Sequence, residues 1–190
     1  SALTRFPMWS PGRMLKTFAV LVVVPAVMLG AWYRWDHSRP NAVFLRAMSA
    51  IESRDFRGVS AAAERLQQFP EFRPHSHLLQ GCVLLDAGDA PAALREFYRT
   101  RPEGILRFPV LQFSAQALYR TGRILEAAQL LILLLNENPN SAEAHRWLGA
   151  IYYDLGNQSV ALAELTEAVR LNPLDHRPHR LLGVICTDRS

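Results

Sequence analysis

Histidine and cysteine are the first residues to test for chemistry, because they ligate metals and act as nucleophiles or proton carriers near neutral pH. The chain has six of one and two of the other in 190 residues. Their spacing is unpromising. His75 and His77 point to different faces of a helix start, and His176 and His179 are interrupted by Pro178 with no nearby Cys or His at metal-ligand spacing. There is no Gly-rich phosphate loop, no Gly-x-Ser-x-Gly elbow and no His-Glu-x-x-His. The sequence therefore predicts no catalytic residue, no metal and no cofactor. The chemistry that remains is recognition by apolar contact and by hydrogen bonds, for which Gln112, Gln116, Arg146 and Arg180 donate in fixed geometry.

Composition narrows the field in the same direction. Hydrophobic residues at 49% and charged residues at 20% are ordinary for a globular chain, and the length is short for a large multidomain enzyme. The 21 bases and 17 acids leave a scattered +4, which is explained by solubility without a nucleic-acid partner. Cys82 and Cys186 alone imply no disulfide framework and point to neither an oxidising nor a reducing compartment.

The elements that must position these residues emerge from a repeat. Dividing the chain at Pro40, Pro74, Phe108, Ala142 and His176 gives four units of 34 residues and a final piece of 15. The eighth position then reads Ala47, Gly81, Ala115, Gly149, Gly183, the twentieth Val59, Ala93, Ala127, Ala161, and the twenty-fourth Ala63, Phe97, Leu131, Leu165. Each unit splits into two helical patterns about a turn at Arg54, Gly88, Gly122 or Gly156, where Gly ends a helix by adopting a left-handed conformation. Small residues at spacings of three and four let paired helix backbones approach, and larger ones fill the gaps beside them.

From about Pro40 onward the chain resembles the tetratricopeptide repeat family. The unit 142–175 carries Leu148-Gly149, Tyr152, Gly156-Asn157, Ala161, Leu165, Ala168 and Pro173 at the family's spacings. It departs where the early Trp is displaced to Trp147, where the second unit has Ile105 in place of Pro, and where the first has Val59 at the usual Ala position. The resemblance implies an all-α solenoid: repeats 40–73, 74–107, 108–141 and 142–175, with the first helix of each pair lining a concave surface. Residues 176–190 supply only a first helix. Two readings stay open for it, a capping helix or a repeat cut short, since Leu181, Leu182 and Ile185 are apolar.

Positions 5, 9 and 12 form a stripe apart from the core, and the resemblance implies that this stripe faces the groove. The first two units present Phe44, Met48, Ile51, Leu78, Cys82 and Leu85; the later ones present Gln112, Gln116, Tyr119, Arg146, Tyr153 and Arg180. A protein segment apolar at one end, with carbonyl or carboxylate groups at the other, matches that gradient. Two alternatives stand beside it: Arg146 and Arg180 as solvated face residues, and the apolar half packed on the linker or the bilayer. The Lys and Asn pair with which chaperone-binding relatives clamp a terminal carboxylate is absent from these positions. Tyr152 and Tyr153 are expected to turn one ring to the core and the other to the groove. The run Leu130 to Leu135 is apolar all round, so Ile132 and Leu133 are expected on the convex side against another subunit or lipid.

Ahead of the repeats, residues 17–33 contain no charge, and the run reaches Met14 if Lys16 turns its ammonium toward the headgroups. At ~1.5 Å per residue such a run spans a hydrocarbon core of roughly 30 Å. Trp9 on one side and Trp32, Tyr33 and Trp35 on the other suit the two interfaces, and Pro25 is expected to kink the span. The sequence thus predicts a tail 1–13, a transmembrane helix 14–35, a linker 36–39 and the repeat domain 40–190. A cleavable signal ending at Leu29-Gly30-Ala31 is the alternative. Basic residues tie across the span, with Arg5, Arg13 and Lys16 before it and Arg34, Arg39 and Arg46 after it. The acid-free tail favours a cytoplasmic amino terminus and an extracytoplasmic, for instance periplasmic, repeat domain. The expected role is a membrane-anchored scaffold that binds protein partners, or else a permanent structural subunit of a membrane complex.

Overall fold

A computed structural model of the chain describes residues 39–188. The stretch 14–35 and its flanking aromatics lie outside the described residues, and no helix among the described residues is long and apolar enough to cross a membrane. Within them are nine α-helices and no strand: α1 (Pro40–Glu52), α2 (Phe56–Gln67), α3 (Arg73–Asp86), α4 (Ala90–Arg99), α5 (Arg107–Arg120), α6 (Ile124–Glu137), α7 (Ala142–Asp154), α8 (Gln158–Leu171) and α9 (His176–Asp188). Short 3-10 turns, Pro70–Phe72 and Gly104–Leu106, precede α3 and α5. The sequence pattern does not announce them.

The turn inside each pair is built the same way four times. Gly88, Gly122 and Gly156 take φ of 89°, 79° and 76°, and Arg54 takes 61° at the equivalent position, the one non-glycine among the described residues to do so. The residue that follows caps the second helix. Asp55 accepts from Gly58 N at 3.2 Å, Asp89 from Ala92 N at 2.9 Å and Asn157 from Val160 N at 3.4 Å. The third unit has Arg123 there, which cannot accept, and it pairs instead with Glu126 in the first turn of α6.

Packing between partners explains the small residues. A Cβ added at Gly81 would lie 2.3 Å from the Phe97 ring, and one at Gly149 2.6 Å from Leu165 Cγ. Ala47 and Ala115 are buried at the same position, and Val59, Ala93, Ala127 and Ala161 are buried opposite. Successive helices pack on one another, and the odd-numbered helices also touch in series, α1 to α3, α3 to α5, α5 to α7 and α7 to α9. They form the inner layer of the solenoid, and the even-numbered helices form the outer one.

Candidate functional site

The inner layer borders a groove of about 1050 Å³. One wall comes from α1 and α3: Phe44, Met48 and Ile51, then Cys82 and Leu85. Phe44, Cys82 and Leu85 are buried, while Met48 and Ile51 are half-buried. Burial pushes the Cys82 thiol pKa well up, so this sulfur behaves as an apolar group. Beneath the wall His75 sits edge-on to Phe44 at 4.7 Å and against Phe72 at 4.8 Å. Its Nδ1 is buried with no hydrogen-bond partner among the described residues, and burial holds its pKa below the ordinary value.

The centre of the groove belongs to α5. Gln112 and Gln116 stand one helical turn apart and both line it, with no hydrogen bond from either side-chain amide among the described residues. Phe108 and Phe113 flank them. Arg120, at the end of α5, donates to the Leu85 carbonyl and ties the centre of the groove to the α1–α3 wall.

The far wall is charged and internally paired. The Arg146 guanidinium donates to both oxygens of Glu143, at 3.1 and 2.5 Å, and lies 4.4 Å above the Trp147 ring. Trp147 Nε1 donates to the same carboxylate at 3.0 Å, and Arg177 reaches it at 3.1 Å. Arg177 in turn donates to Asp175 at 2.9 Å. Burial opposes ionisation of Asp175, but hydrogen bonds from Arg177 and the charge of Arg146 prevail and hold its pKa below the usual carboxylate value. With its side chain 11% exposed, Arg146 is neither a solvated residue nor a free donor awaiting a ligand.

The structure brings Phe44, Met48, Ile51, Cys82, Leu85, Gln112, Gln116 and Arg146 around one groove. Four residues expected beside them lie elsewhere. Leu78 has no exposed surface and belongs to the buried core with Leu79 and Cys82. Tyr153 is half-buried with Tyr152 against Ala161, Leu165 and Ile185, since α9 crosses this end of α7; the two rings do not divide between core and groove. Tyr119 donates to Asp154 at 2.5 Å and packs edge-on to Trp147, and desolvation, then this carboxylate, pushes its pKa up to about 12. Arg180 is absent from the groove lining and lines an adjoining recess of about 660 Å³, which shares Glu52, Arg54, Asn172 and Arg177 with the groove.

Residues that the 5-9-12 stripe omits also line the groove. Pro109, Glu143 and Arg177 occupy position 2, Leu45, Phe113 and Trp147 position 6, and Glu52, Asp86 and Arg120 position 13. A stripe running 2, 5–6, 9, 13 keeps the helical period over three turns and would have found them. On the convex side, Leu131 and Leu134 of α6 are buried, whereas Ile132 and Leu133 are exposed.

Comparison with known proteins agrees with this architecture. No curated protein sequence matches the chain. Among solved structures, MamA 41-end from Desulfovibrio magneticus RS-1 superposes with a TM-score of 0.59 at 18% identity, over 79% of this chain and 85% of that one. A crystal structure of MamA gives 0.57 at 16% identity, over 75% and 84%. At such identities the likeness is one of fold. The tetratricopeptide repeat family model matches residues 114–176, from the middle of α5 to the start of α9. Paired helices recur every 34 residues on both sides of that match, so the fold of the matched stretch extends through the described residues.

Proposed function

We propose that this chain is a membrane-anchored scaffold whose groove holds an apolar segment of a protein partner at the membrane surface. The observation that carries the reading is the contrast across the groove floor. Met48, Ile51 and Phe108 offer uncovered apolar surface, and the Gln112 and Gln116 amides beside them have no partner among the described residues. Covering the first gains hydrophobic free energy, and the amides satisfy backbone carbonyls or N–H groups of a bound chain. Arg146 contributes by bracing the far wall. The uncharged run 17–33 supports the anchor, with the amino terminus in the cytoplasm and the repeats outside it, and other subunits of a membrane complex are the expected partners. The test is co-purification from native membranes of the chain carrying Gln112→Ala with Gln116→Ala. Partner recovery should fall, and undiminished recovery would remove the groove from the proposal.

A second reading, a permanent structural subunit, is favoured by one observation. Leu125, Ile132 and Leu133 are 67%, 41% and 41% exposed along one stripe of α6. Such a surface buried against a neighbour would make the isolated chain aggregate. Under this reading Ile132→Glu with Leu133→Glu releases the chain from its complex, and stoichiometric co-migration with unchanged partners would count against it.

A further inference from the structure

The four turns inside the helix pairs close with the same backbone bond. Asp55 N donates to the Ala50 carbonyl at 2.9 Å, as Asp89 N does to Leu84 at 2.9 Å, Arg123 N to Leu118 at 2.9 Å and Asn157 N to Tyr152 at 2.8 Å. Three of these turns hold Gly at the left-handed residue, and a Cβ built on any of the three meets nothing within 4 Å. A side chain at this position therefore does nothing for the turn. Arg54 nonetheless carries one, at a φ of 61°. Strain that the turn itself does not require directs attention to what the side chain meets.

It meets the recess of about 660 Å³, which Arg54 and Glu52 at the end of α1 line together with Arg177 and Arg180 of α9. The charged groups there fall into two sets. Asp175 accepts from Arg177 at 2.9 Å, and Arg177 also reaches Glu143 at 3.1 Å, so these charges satisfy one another. Arg54, Arg180 and Glu52 make no side-chain hydrogen bond or ion pair among the described residues. Two free guanidinium groups thus share the recess with one free carboxylate. The recess is continuous with the groove, because Glu52, Arg54, Asn172 and Arg177 line both. Arg54 follows Ile51 of the apolar wall by three residues, so a chain covering that wall has the recess within reach.

We infer that the recess takes an acidic side chain, Asp or Glu, of the protein segment whose apolar residues cover Met48 and Ile51, with its carboxylate held between Arg54 and Arg180. The inference rests on the groove reading given above and adds the charge of the bound segment. The test is selection of a random dodecapeptide library, displayed on phage without a free carboxy end, on the full chain in detergent. Enriched peptides should combine apolar residues with Asp or Glu. Selection on Met48→Glu with Ile51→Glu should lose the apolar residues, and selection on Arg54→Gly with Arg180→Gln should lose the acid alone. One enriched peptide, synthesised with an amidated carboxy end, is then titrated by fluorescence anisotropy. Arg54→Gly with Arg180→Gln should weaken its binding about fivefold, the scale of exposed ion pairs, and the difference should shrink in added salt. Arg54→Gly alone should weaken binding while raising the thermal midpoint, which separates the contact from a folding defect. Glu52→Gln removes the competing carboxylate and should tighten binding about twofold. Peptides enriched in apolar residues without an acid, or bound equally by wild type and by Arg54→Gly with Arg180→Gln, overturn this inference and leave the groove reading standing. No enriched peptide, or peptides that Met48→Glu with Ile51→Glu binds as well as wild type does, overturns both.

Discussion

On the α1–α3 side of the groove Met48 and Ile51 turn apolar surface outward, whereas on the α7–α9 side Glu143, Arg146, Trp147, Asp175 and Arg177 already satisfy one another. The two walls therefore respond oppositely to a ligand. Covering the first releases water from apolar surface at about 25 cal/mol per Å². Covering the second desolvates charges whose hydrogen bonds are already made, which gives little in return. An array of near-identical repeats thus places binding surface and bracing at the same helical positions, and the residue types alone decide which is which.

The largest expected effect is on the apolar wall. Met48→Glu with Ile51→Glu should weaken capture of a membrane partner about a hundredfold or more, with a nearly unchanged thermal melt, because both side chains are only half-buried. A double variant that still captures its partner would break the contrast. On the charged wall the effect should fall on stability. Glu143→Ala leaves two guanidinium groups and the Trp147 indole short of their shared acceptor, and should cost about 1–3 kcal/mol in chemical denaturation. A variant as stable as wild type would show that this wall is not self-braced.

Arg54 sharpens the comparison from the turn side. It is the one residue of the four equivalent turns that pays for a left-handed backbone with a side chain, so Arg54→Gly should raise stability by about 1 kcal/mol. The smallest effect concerns pH. Burial depresses the His75 pKa, so the unfolded chain takes up the proton more readily than the folded one, and stability present above the ordinary histidine value of 6.5 is lost as pH falls below it. Asp175 on the other wall also has a depressed pKa, and its contribution persists down to its unfolded value of 3.8 before being lost on further acidification. The apolar side should therefore loosen first. Hydrogen exchange followed from neutral to acid pH should show α3 opening before α7, and His75→Leu should remove that order.

The repeat and its turns were legible because close helix approach favours small residues at positions 8 and 20, Val59 being the exception, and a left-handed turn favours Gly. Those constraints print directly into the sequence as Gly81, Gly149, Ala93, Ala161 and the Gly88, Gly122, Gly156 series. The groove was only partly legible. A stripe shows which positions share a face, but not which of them the surrounding helices cover, so Leu78 and Tyr153 share the stripe while lying buried or half-buried outside the groove. The bracing of Arg146 had a local signal in Glu143 three residues before it. Its continuation to Arg177 and Asp175 had none, because it joins consecutive units through space.

The groove's role as a protein-binding surface is tested most directly by photocrosslinking in native membranes. A benzophenone side chain is placed at Ile51 in one protein and at Ile132 in another, and the adducts are identified by mass spectrometry. Discrete polypeptide adducts from Ile51 that disappear on Met48→Glu are the expected result. Adducts from Ile132 alone, with Ile51 giving none or only lipid, would contradict it.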